Sequence, residues 1–152
     1  MKISNWIYKH IFLFLIGGTV YSIIEIIWRN VFGDGSPTHW TMFILGGMSF
    51  LSIGWINEIL PRKTSLWVQC LIGTAIILIL EFIFGCILNL WLKLDIWDYS
   101  HLPLNIMGQI CLPFAFAWYA LTAAAIIADD FLRFKVFKEE KPKFKLSFKH
   151  SR

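Results

Sequence analysis

Apolar residues along this chain fall into four long runs, at about 7–28, 40–60, 66–92 and 104–128. Each exceeds the roughly 20 mostly apolar residues that an α-helix needs to cross a bilayer. The breaks between them carry turn chemistry: Gly33-Asp34-Gly35-Ser36-Pro37, then Pro61-Arg62-Lys63-Thr64-Ser65, then Lys93 to Pro103. Only the third break is long enough to hold structure of its own. The pattern predicts an all-α membrane protein: four transmembrane helices in a bundle over residues 1–130, then a tail over 131–152.

Composition narrows this further. Of 152 residues, 57% are hydrophobic and only 16% charged, whereas a soluble domain carries about a quarter charged residues. A soluble globular domain is therefore excluded. Cys70, Cys86 and Cys111 are odd in number, lie inside apolar runs and lack the close pairing of a zinc or redox motif, so they read as packing residues. The stretch from Met1 to Gly18 runs on into Tyr21, Ser22 and Glu25 without a small-residue cleavage pattern, and is expected to be a retained first helix.

Basic residues near span ends stay on the cytoplasmic side. Lys2, Lys9, Arg62, Lys63 and the eight basic residues from Arg133 to Arg152 fall on one side, against Arg29 and Lys93 on the other. Both termini are thus expected inside, which requires an even number of spans. Trp6, Trp28, Trp40, Trp67, Trp91 and Trp97 sit near span ends, at the depth that indole rings favour. The tail after Asp130 holds eight basic residues against Glu139 and Glu140. Next to a span it should attract anionic lipid, and from Lys143 to Lys149 the alternation with Phe144, Leu146 and Phe148 suits an interfacial segment. Topology accounts for these charges, so nucleic acid is not an expected partner.

Glu25, His39 and Gly46 recur in order as Glu81, His101 and Gly108, with seven residues from His to Gly each time. This suggests a parallel duplication of a helical hairpin.

Polar residues inside apolar spans face a protein interior or a water cavity. Glu81 is the clearest case: near the middle of the third span, it shares a face with Cys70, Thr74, Gly85 and Asn89, opposite a Leu- and Ile-rich face expected to meet lipid. It has no charged residue within a turn. Gly18, Ser22, Glu25 and Arg29 cluster likewise on the first span, where Glu25 and Arg29 are spaced for either an ion pair or a functional pair. Gly46, Gly47, Gly54, Asn57 and Glu58 share a face in the second span, and Asn105, Gly108 and Gln109 in the fourth. Small residues and amides of this kind also serve as ordinary packing between membrane helices. His39 and His101 read as interfacial, and no His-x-x-x-His or Glu-x-x-His spacing marks a metal site. No metal or cofactor is expected. From Trp97 to Gln109, Asp98 and Ser100 suit turns or caps and Pro103 a first helical turn. The same stretch places Asp98, Tyr99, Asn105 and Gln109 on one polar surface continuous with Glu81.

The stretches His39 to Gly47, Ile56-Asn57-Glu58, Leu80 to Leu90 and Ile96 to Phe114 resemble the bacterial CmpB-type family of type IV ABC-transporter permeases, and the resemblance covers nearly the whole chain up to the basic tail. It implies a multi-pass transport component of the bacterial cytoplasmic membrane. The chain has no nucleotide-binding loop, so an ATPase would be a separate subunit. Four spans are few for a transport path, which suggests a homodimer. Two other readings remain open: a structural or regulatory membrane partner, and an intramembrane enzyme on a lipid-like substrate using Glu81, Asp98 and His101. No nucleophile motif accompanies the latter.

Overall fold

A computed structural model of the protein describes residues 3–61 and 64–140. Lys2, Arg62, Lys63 and the segment 141–152, with its alternating basic and apolar residues, lie outside the described residues, as does the side chain of Asn57. The four apolar runs become four helices: α1 (Ile3–Val31), α2 (Thr41–Ile59), α3 (Leu66–Gly85) and α4 (Leu112–Phe137). The helix of α3 continues without a break as a π-helical stretch over Cys86–Trp91. Three segments are long and apolar enough to cross a membrane, Asn5–Val31, Leu66–Trp91 and Leu112–Phe137, and Thr41–Ile56 is a shorter apolar helix. At 1.5 Å per residue, 26 residues reach about 39 Å, more than the roughly 30 Å of a hydrocarbon core. The fold is an all-α membrane bundle.

Local chemistry sets the helix ends. Pro61 disfavours helical backbone at Leu60, which is extended (φ −79°, ψ 149°), and α2 stops there. Ser65 is extended before α3. The start of α4 departs from the expectation drawn from hydropathy: it begins at Leu112 and not near 104, and the proline in its first turn is Pro113 and not Pro103. Residues 104–111 form a loop in which Leu104, Met107 and Gly108 adopt left-handed φ angles of 49°, 54° and 70°, which a helix does not accept. At the other end α4 continues beyond Asp130 to Phe137, so the first residues assigned to the tail are helical.

Helices α1 and α2 make the closest pair. Tyr21 of α1 packs onto Gly46 of α2, and Phe50 of α2 onto Gly17 of α1, with no room for a Cβ at either glycine. Such contacts are the main attraction between helices in lipid, where apolar burial supplies little net drive. The core gathers Ile53, Leu66, Cys70, Ile77, Trp118 and Ile126, and a second cluster joins Met42, Leu45, Leu88 and Ile96. The apolar residues opposite Glu81, among them Leu71, Ile79 and Ile83, are exposed on the outside of α3. Lys9, in the second turn of α1, bonds Glu139 just after α4 at 2.8 Å, so these two chain ends share one end of the bundle. The two glycines of the suggested duplication differ in setting: Gly46 lies within α2 and Gly108 lies in the loop before α4.

Candidate functional site

Glu81 points into the bundle and is 2% exposed. Its Oε2 accepts the indole N–H of Trp118 on α4 at 2.9 Å, and its Oε1 accepts the hydroxyl of Tyr99 at 3.3 Å. The Tyr99 ring stacks on Phe114 with centroids 4.6 Å apart, and the Trp118 ring stacks on Tyr21 of α1 at 5.6 Å. Three parts of the chain therefore close around one carboxyl group. Among the described residues no cation pairs with it, and both oxygens are held by neutral donors. A carboxylate kept away from water in this way costs a few kcal/mol or more unless something compensates its charge. Trp118 was not anticipated from the sequence; a tryptophan in mid-span, whose N–H needs a partner, was the available signal.

Glu25 and Arg29 form an ion pair along α1 at 2.8 Å. Arg29 also donates to Ser36 Oγ at 2.7 Å and to the carbonyl of Ile96 at 2.8 Å. One guanidinium thus ties α1 to the first and third loops, while Glu25 carries its own counter-charge.

The expected polar surface divides into three groups. Tyr99 does reach Glu81. Asn89 and Gln109 form a separate network: the Asn89 amide donates to Gln109 Oε1 at 2.9 Å and to the Trp97 carbonyl at 3.0 Å, and its oxygen accepts Ile96 N–H at 2.7 Å. Gln109 in turn donates to the Met107 carbonyl at 3.0 Å and rests against Gly85. These amides satisfy loop backbone that has no helical partner, a requirement wherever irregular chain lies among spans. Asp98 and Asn105 build the turn above. Asp98 accepts Ser100 N–H at 2.8 Å and its hydroxyl at 2.9 Å, and these bonds hold its carboxyl below the usual carboxylate range. Asn105 bonds Ser100 and Leu102 carbonyls and Gly108 N–H. Asn105 and Gln109 lie in the loop, so the helix face they were expected to share does not exist. His39 bonds Thr41 at the entry to α2, and His101 is exposed.

At the opposite end lies a charged cluster that the sequence reading missed. Asp129 is 0% exposed and Arg133 4%. Arg133 Nε donates to Asp129 Oδ2 at 2.6 Å, its Nη1 pairs with Glu58 of α2, and Lys9 lies 3.5 Å from Glu58. Asp129 Oδ1 and Arg133 Nη2 have no partner among the described residues and press against Gly54, where a Cβ would stand 2.7 Å and 2.8 Å from them. Arg133 had been counted as a tail charge. The signal was present: Trp118, Thr122, Ile126, Asp129 and Arg133 repeat at helical spacing and are all buried.

A half-open apolar groove of about 200 Å³ runs between α1 and α4, with Tyr21, Ile77 and Trp118 among its lining and Ala124, Ala128 and Leu132 along α4. Among the described residues no three His, Cys, Asp or Glu side chains converge to hold a metal ion.

No solved structure matches this chain. A family profile described as "Putative ABC-transporter type IV" matches residues 12–147. With nearly the whole length covered, and helices of membrane-spanning length to match, this transport-related membrane protein belongs to the CmpB family.

Proposed function

We propose that the chain is the transmembrane subunit of a transporter in the bacterial cytoplasmic membrane, with Glu81 as the carboxyl group that meets the transported species or a coupling ion. The observation that carries this reading is the bonding of Glu81. Its partners, Trp118 and Tyr99, are neutral and able to yield their places, whereas Glu25 is already neutralised by Arg29. A ligand bringing positive charge or donors would gain the full compensation that the resting bundle lacks.

Asn89, Asn105, Asp98 and Gln109 serve this site indirectly, by fixing the loop that delivers Tyr99. The distribution of basic residues supports both termini inside, and the basic tail suits anionic lipid. ATP hydrolysis would come from a separate subunit, and two copies of the chain would supply eight helices. The bonding of Arg29 and Asn89 to backbone carbonyls favours a second reading, a structural or regulatory membrane partner, in which these polar groups are framework alone.

The test is purification of the tagged full chain from its native membrane, with identification of what accompanies it. An ATPase subunit whose hydrolysis is lost in Glu81→Gln, with the complex intact, is the expected result. A complex without an ATPase, and indifferent to Glu81→Gln, would overturn the reading in favour of the second. Cysteines placed at Ser36 and Ser100 should label from outside and one at Thr64 from inside; labelling of Ser36 and Thr64 from one side refutes the orientation.

A further inference from the structure

The apolar groove between α1 and α4 and the buried carboxyl group meet at one residue. Trp118 lines the groove and donates its N–H to Glu81, which does not itself line it. Tyr21, stacked on Trp118, lines the groove as well. An aromatic face carries negative potential, and an indole that gives its N–H to a carboxylate carries more. One end of the groove therefore offers two electron-rich rings with an acidic group bonded to one of them, and among the described residues no cation answers it. The rest, along Val20, Ala124, Ala128 and Leu132, is apolar and lies between helices of membrane-spanning length.

Resting on the reading of Glu81 as a ligand-meeting carboxylate, we propose that this groove binds lipophilic organic cations that enter from the hydrocarbon of the membrane. Each part of the site selects one property. A hydrated metal ion finds almost no oxygen in the lining. An anion meets the charge of Glu81 across a medium that screens little. A neutral acyl chain fits the apolar length but gains nothing from the aromatic end. At about 30 Å³ per water, 200 Å³ equals some seven waters, room for a substituted ammonium or phosphonium head or one arm of a larger cation.

Tetraphenylphosphonium and tetraphenylborate share shape and differ in sign of charge. The purified full chain in phosphatidylcholine nanodiscs should bind the phosphonium saturably and the borate not, in equilibrium dialysis against empty discs. Glu81→Gln, which keeps an acceptor for Trp118, should weaken phosphonium binding at least tenfold. Ala124→Leu, which fills the groove without touching Glu81, should weaken it similarly. Saturable binding of both ions or of neither, or unchanged affinity in Glu81→Gln, would overturn the proposal and leave the groove to a lipid chain. If Glu81→Gln fails to fold, Ala124→Leu and the comparison of the two ions decide. Because nothing in this measurement uses ATP or flux, an ATPase partner found alongside absent phosphonium binding would leave the transport reading standing and remove this one.

Discussion

Replacing Arg133 by Met tests the charged end of the bundle, because it keeps most of the apolar stem and removes the guanidinium. Asp129 then has no exposure and no cation, since its only bond from a charged group is the 2.6 Å contact with Arg133 Nε. Removing one member of a buried pair costs about 3–5 kcal/mol, mostly for the charge left behind. Glu58 is different: its side chain is 46% exposed, and a pair so placed contributes about 0–1 kcal/mol. The expected order of stability is therefore wild type, then Glu58→Gln within about 1 kcal/mol, then Arg133→Met some 3–5 kcal/mol lower. The double variant Asp129→Leu/Arg133→Met should recover most of that loss, since apolar replacement of a whole buried pair is often neutral or stabilising. Reversible unfolding in mixed micelles with increasing dodecyl sulfate, followed by tryptophan fluorescence, measures all four. A loss below about 1 kcal/mol for Arg133→Met, or a double variant no better than the single, would refute a buried, mutually dependent pair.

Gly46→Val should cost roughly 1–3 kcal/mol in the same assay, because a side chain there meets the Cβ of Tyr21, while Gly35→Ala, with open space around it but a φ of 74°, should cost about 1 kcal/mol or less. Asn89→Leu removes three bonds to the loop before α4 and should raise the rate of proteolysis between Lys93 and Met107, leaving helix content by circular dichroism unchanged. Asp98 has a lowered folded-state pKa, so its contribution to the turn is complete above the ordinary carboxylate range and fades as pH falls through the lowered value; Ser100→Ala should move the carboxyl titration, read by carbon-13 NMR, upward toward normal.

Hydropathy made most of the architecture legible, since four runs of sufficient length leave few alternatives in a bilayer. It failed at the start of α4, where 104–111 is as apolar as a helix but is bent by Leu104, Met107 and Gly108 into left-handed backbone; average hydropathy carries no sign of φ. The isolation of Glu81 was readable from the spacing of charges along α3. Its actual partners were not, because Tyr99 and Trp118 are 18 and 37 residues away and only folding brings them near. Asp129 and Arg133 were hidden for another reason: adjacent acids at 129 and 130 look like the end of a span, although α4 carries its buried face one turn further.

The π-helical stretch at the end of α3 gives that helix a property in terms of aim and not of length. Its bonds reach one residue further than α-helical ones, as from Leu92 N–H to the Ile87 carbonyl at 2.9 Å. Each wide turn thus holds a residue that an α-turn would not need. Deleting one residue from Cys86–Trp91 would let the helix close into α-geometry with little change in span, but everything beyond the cut would rotate by about 100° relative to Glu81. Asn89 would then lose its line to Ile96, Trp97 and Gln109, and the loop that carries Tyr99 would swing off its anchor. Single-residue insertions and deletions in this stretch act as rotations, steering the lid of the bundle over the carboxyl group beneath it.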